Sequence, residues 1–144
     1  MKEKKTIGRT EWVDFPDLNL SAIPAKIDTG AYTTALHCQK IYLHPETGAL
    51  CFIPLSPEFD AWQGQEISTH EFRKKTIKNS FGEAEERYLI KTRIRIGKRL
   101  INSVISLTHR GTMRFPVLVG RKILKKRFLV DVEKEFLYPS SGKK

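Results

Sequence analysis

Residues 26–37 read Lys26-Ile27-Asp28-Thr29-Gly30-Ala31-Tyr32-Thr33-Thr34-Ala35-Leu36-His37, KIDTGAYTTALH. One carboxylate, Asp28, stands between an apolar run and a turn of small residues. Two readings compete. Asp and Gly are ordinary turn residues, because Asp bonds to nearby backbone amides and Gly tolerates unusual dihedrals. Alternatively, the loop presents the carboxylate for general acid and base chemistry. The local sequence fits both, so residues elsewhere must decide.

Outward from this stretch the pattern is that of short strands broken by turns. A strand pair is expected on either side of Phe15-Pro16-Asp17, with Ser21 to Ile27 carried past Pro24 to Asp28. Leu36 to Leu43 and Ala49 to Leu55 form a hairpin around His44-Pro45-Glu46-Thr47-Gly48. Residues 57–65 read as loop. Ile67 to Ile77 and Glu85 to Ile96 flank Asn79-Ser80-Phe81-Gly82 as a polar, projecting hairpin whose Gly supplies positive φ. Ile90, Thr92, Ile94 and Ile96 fall on one face of the second arm, with Lys91, Arg93 and Arg95 on the other. Leu100 to Leu107 follows. Helical spacing predicts one short helix over Arg121 to Phe128, then strands at Leu129 to Val132 and Phe136 to Tyr138. The expectation is an all-β single domain over residues 1–144, ordered from about 6 to 138, with a flexible tail at 139–144.

A chain of 144 residues can bury a core without disulfide or metal staples. Its composition, 40% hydrophobic and 29% charged, is globular, and no apolar run approaches the roughly 18 residues that span a bilayer. The basic start meets no apolar leader segment, so the expected compartment is the cytoplasm, with no membrane partner. The net charge of +10 permits an acidic polypeptide or a nucleic acid as partner. The candidate basic residues, among them Lys91, Arg93, Arg95, Lys122, Lys125 and Lys126, lack interleaved stacking aromatics. A solvated basic surface is the commoner cause of such runs, so nucleic acid is not the expected partner.

Most catalytic signatures fail. His37, Cys38, His44 and Cys51 lie within fifteen positions but lack zinc-site spacing, and neighbours on a strand point to opposite faces. Thr69-His70-Glu71-Phe72-Arg73-Lys74 starts like H-E-x-x-H but has Lys74 where the second His belongs. No Ser lies in G-x-S-x-G, and there is no phosphate-binding loop. No metal and no cofactor is expected.

A second motif, about 90 residues on, shifts the balance: Val117-Leu118-Val119-Gly120-Arg121 followed by Ile123-Leu124. Together with Asp28-Thr29-Gly30-Ala31 it resembles the retropepsins, the retroviral-type aspartic proteases. Gly8-Arg9-Thr10-Glu11-Trp12-Val13, Asp28 to His37 and Phe115 to Arg121 look more closely like one bacterial family. That family is labelled "ATP-dependent zinc protease" and is associated with RimK-type ligases that add glutamate to proteins. The label finds no support in zinc or ATP motifs here.

The resemblance implies a closed acid-protease barrel whose active site forms at the two-fold axis of a homodimer, each chain giving Asp28. Two carboxylates about 3 Å apart share a proton and activate a water against a peptide bond. Thr29, Gly30, Ala31, Gly120 and Arg121 would support the site, with Asn79, Ser80, Phe81 and Gly82 as flap over a peptide or protein substrate. The basic balance suits an acidic substrate, and a functional link to a RimK-type ligase follows. The alternative is a catalytically silent peptide-binding or regulatory module of the same fold. In retroviral enzymes an acid after D-T-G-A pairs with the Arg of Gly-Arg; Tyr32 stands there, so Arg121 needs another partner.

Overall fold

A computed structural model describes residues 3–78, 81–109 and 114–139. Its strands are β1 (Lys5–Gly8), β2 (Thr10–Phe15), β3 (Leu20–Ile27), β4 (Thr34–Leu43), β5 (Leu50–Pro54), β6 (Ile67–Thr69), β7 (Arg73–Lys78), β8 (Ala84–Ile96), β9 (Arg99–Thr108), β10 (Val117–Val119) and β11 (Phe128–Asp131). The helix α1 covers Arg121–Leu124, and a single 3-10 turn, Pro16–Leu18, joins β2 to β3. Among the described residues, no helix is long and apolar enough to cross a membrane.

Six strands close into a barrel in the order β10-β3-β2-β8-β9-β4, with β4 returning to β10. The closure depends on three residues. β10 pairs parallel to β3 (Val117 opposite Ala25, Val119 opposite Ile27) and antiparallel to β4 (Val117 opposite Leu36), so one short strand serves two neighbours. A strand with partners on both sides is apolar throughout, as Val-Leu-Val is. Ile23, Leu36, Ile94, Ile96, Ile105, Val117 and Val119 are completely buried inside. The alternation expected for β8 holds: Ile90, Thr92, Ile94 and Ile96 are buried, while Lys91 and Arg93 are exposed.

Pro24 sits inside β3 opposite Trp12, and β10 takes up the other edge only from Ala25 onward. The position lacking an N–H therefore coincides with a stretch that has no β10 neighbour.

Four expectations change. Ile67 to Ile77 is two strands: β6 pairs with β5, and β7 pairs with β8 after a turn in which the Glu71 amide donates to Thr69 Oγ1 at 3.0 Å. The helix ends at Leu124 rather than Phe128, because Lys126 adopts φ +68 and Phe128 is drawn under the barrel as a strand residue opposite Lys5. Residues 136–138 form no strand; their amides go to the Thr10 carbonyl and to the Glu11 carboxylate. β1, parallel to β11, was not expected. Beyond residue 139 the expected tail lies outside the described residues.

Glu11 explains why Gly8 to Val13 is distinctive. Its side chain is fully buried and accepts from Gly8 N at 2.8 Å, Leu137 N at 3.0 Å and Tyr138 N at 3.4 Å. A Cβ at Gly8 would sit 2.5 Å from the Lys134 carbonyl oxygen, so only glycine lets the two ends of the chain meet. Trp12 and Phe136 pack with ring centroids 4.6 Å apart over the same join.

Candidate active site

β3 runs into the Asp28 loop without a break in its hydrogen bonding, because Asp28 N donates to Val119 O at 2.9 Å. The chain then turns tightly. Ala31 N donates to Asp28 O at 3.2 Å, and Gly30 N donates to Asp28 Oδ1 at 3.0 Å. These are the bonds of an Asx turn, so the turn chemistry weighed against Asp28 is present. It does not compete with an active role: one carboxylate oxygen is oriented by the loop while the residue stays half-exposed. A Cβ on Gly30 would lie 3.3 Å from Asp28 Oδ1, tighter than most contacts of that kind.

The second motif is the pillar of this loop. Arg121 N and Lys122 N, which have no partner within the helix, donate to Ala31 O at 2.8 Å and Tyr32 O at 3.1 Å. Gly120 N donates to the hydroxyl of buried Thr34 at 3.1 Å. A Cβ on Gly120 would fall 2.6 Å from Tyr32 O and 2.8 Å from Thr33 C, so no side chain fits there.

Arg121 finds its partners in the same loop. Its Nη1 donates to Thr29 O at 2.9 Å, and its guanidinium lies 5.8 Å from the centroid of the Tyr32 ring. A π face takes the place of the acid, within the range of cation–π attraction. Asp28, Thr29, Gly30, Ala31, Gly120 and Arg121 are thus brought together. Thr34 and Tyr32 join them without having been expected; a hydroxyl six residues past the carboxylate carries no sequence signal.

The expected flap is a hairpin in which β7 and β8 pair from Arg73 opposite Leu89 to Lys78 opposite Ala84. Phe81 is 87% exposed at its turn, and Gly82 has φ +80 with open space around it. Asn79 and Ser80 lie outside the described residues.

The four residues considered as zinc ligands go separate ways. His37 is buried with Nε2 3.1 Å from Ser56 Oγ, and burial foremost, then the charge of His109, pulls its pKa down. Burial alone pushes the Cys38 thiol up. Cys51 Sγ points to the Ala49 carbonyl, and His44 Nδ1 accepts from the amides of Glu46 and Thr47. Among the described residues, no group of three or more His, Cys, Asp or Glu could hold a metal. On the basic face, Arg93 is held by Asp17, with Nη2 2.6 Å from Oδ1, and Arg95 lies 3.6 Å from Asp14.

Comparison with known proteins agrees with this architecture. A solved structure of a protein with unknown function from Legionella pneumophila superposes with a TM-score of 0.68 at 24% identity, over 94% of this chain and 98% of that one. It shows the fold. Proteins named "Probable alpha-L-glutamate ligase" from Desulfotalea psychrophila and Shewanella pealeana are 32% and 30% identical over 89% and 96% of this chain. The chain spans only 28% and 31% of their length. The RimB-like family, described as retropepsin-like aspartic endopeptidase RimB, matches residues 6–141. With the Asp28 loop, its Gly120–Arg121 pillar and a six-stranded barrel inside that match, the chain belongs to the RimB-like family of retropepsin-like proteins.

Proposed function

We propose that the protein is a homodimeric aspartic endopeptidase in which Asp28 of two chains forms the catalytic dyad. The observation that carries this is the Asp28 loop: a half-exposed carboxylate, oriented through Oδ1 and braced by Arg121 through Thr29 O. The loop supplies one carboxylate, and general acid and base hydrolysis of a peptide needs two in different protonation states. A second copy related by a two-fold axis brings the other. The ionised member takes a proton from water while the protonated member polarises the scissile carbonyl. Thr29 faces its counterpart, Gly30 and Ala31 form the floor, and the β7–β8 hairpin excludes water.

Surface features are consistent with a second copy. Leu129 in β11 and Val132 just after it are 54% and 70% exposed, apolar surface that a second copy would cover. The charge of +10 suits an acidic substrate, and relatives named as glutamate ligases make glutamate-bearing polypeptides the class to test first.

The test is cleavage of a peptide library containing glutamate-rich members, from acidic to neutral pH, by the chain and by Asp28→Asn. Cleavage that vanishes in Asp28→Asn supports the dyad. Unchanged cleavage in the variant removes it, and no cleavage by the unmodified chain at any pH favours a peptide-binding module.

A further inference from the structure

A cavity of about 630 Å³ opens between α1 and the strands β8 and β9, and Asp28 is not among its lining residues. Its size falls in the range of small-molecule sites, roughly 300–1,000 Å³. Lys91, Lys122 and Arg127 line it, and among the described residues none of them has a carboxylate in an ion pair. Arg127 Nη1 donates only to the carbonyls of Ile123 and Lys122. The one acid in the lining, Asp17, is already taken by Arg93, which bonds it through Nε, Nη2 and its backbone amide.

Val104 and Ile123 give the walls an apolar component suited to a carbon skeleton. Positive charge of one sign gathered around a recess attracts an anion that enters it.

From this placement we propose that the cavity binds a small organic anion carrying two or more carboxylate or phosphate groups, at a site distinct from the Asp28 loop. Lys91, Lys122 and Arg127 meet the oxyanions. The site is in contact with the catalytic loop's support: Thr34 lines the cavity and accepts from Gly120 N, while Lys122 N donates to Tyr32 O.

Titration calorimetry on the full chain at fixed ionic strength, with citrate and with pyrophosphate as probes and acetate as control, tests it. At least one probe binds with a Kd below about 1 mM, a free energy near −4 kcal/mol. The Lys91→Gln/Lys122→Gln variant loses about tenfold or more in affinity, and Asp28→Asn loses none. Three results overturn the proposal: neither probe binding beyond acetate, the double lysine variant binding as well as the parent, or Asp28→Asn abolishing binding. So does a hexaglutamate peptide saturating the cavity lysines while citrate and pyrophosphate do not, since the site would then be a peptide groove.

Discussion

At the scale of single residues, Gly120 and Tyr32 carry the most physical content. A methyl at Gly120 meets the Tyr32 carbonyl at 2.6 Å, backbone against backbone, so relief requires moving the Asp28 loop off the helix. Gly120→Ala is expected to cost about 2–3 kcal/mol in urea unfolding, at the upper end of overpacking. Tyr32 is 58% exposed, so its ring gives Arg121 a modest anchor of about 0.5–1 kcal/mol. A double-mutant cycle between Tyr32→Ala and Arg121→Ala should return that coupling, and Tyr32→Phe should keep it. A coupling of zero would mean that the Thr29 carbonyl alone holds the guanidinium. His37 supplies a pH dependence. Its pKa is lowered by burial first and by His109 second, against a smaller opposing pull from Glu58. The unfolded chain therefore binds a proton near pH 6.5 that the folded chain refuses, so stability falls as pH drops below about 6.5. In His37→Gln the slope of stability against pH just below 6.5 should flatten; an unchanged slope would assign the dependence elsewhere.

Among the elements, legibility in the sequence followed the range of the interactions. β8 announces itself through alternation, because a half-buried strand records its two faces in its own sequence, and β3, β4 and β9 through apolar runs bounded by turn residues. The barrel closure was readable from Val117 to Val119, an apolar run between loop residues, only once it was matched with the Asp28 motif. What escaped was set from a distance. The helix stops at Leu124 because Phe128 is needed opposite Lys5, more than 120 positions away, and Phe136 to Tyr138 leaves the strand state because Glu11 takes two of its amides. Helical and strand periodicities carry no trace of either demand. The join itself makes a prediction. Glu11→Ala leaves three buried or part-buried amides without an acceptor, at about 1–3 kcal/mol each for full loss, less whatever water replaces. A loss of about 3 kcal/mol or more, with the amides of Leu137 and Tyr138 exchanging faster in hydrogen-exchange measurements, is expected. Slow exchange retained there would show that Trp12 and Phe136 hold the segment without the carboxylate.

For the whole molecule, the decisive property is that the Asp28 loop contributes one carboxylate where the proposed chemistry needs two. If the second comes from another copy, activity belongs to an assembly and not to a chain, and two consequences follow that a monomeric site cannot imitate. Specific activity should fall on dilution through the dimer dissociation constant. Adding inactive Asp28→Asn chains to unmodified chains at fixed total concentration should then suppress activity below simple proportion. With random exchange of equal amounts, only about a quarter of the dimers keep both carboxylates, whereas independent monomers would retain about half of the activity. The measurement is a mixing curve on a glutamate-rich peptide after time for subunit exchange. A quadratic curve supports the two-chain dyad, and a linear curve, with no change in specific activity on dilution, removes it. The join at Glu11 sharpens the contrast: it is made within one chain, so dilution should leave the melting of the barrel largely in place while activity fades.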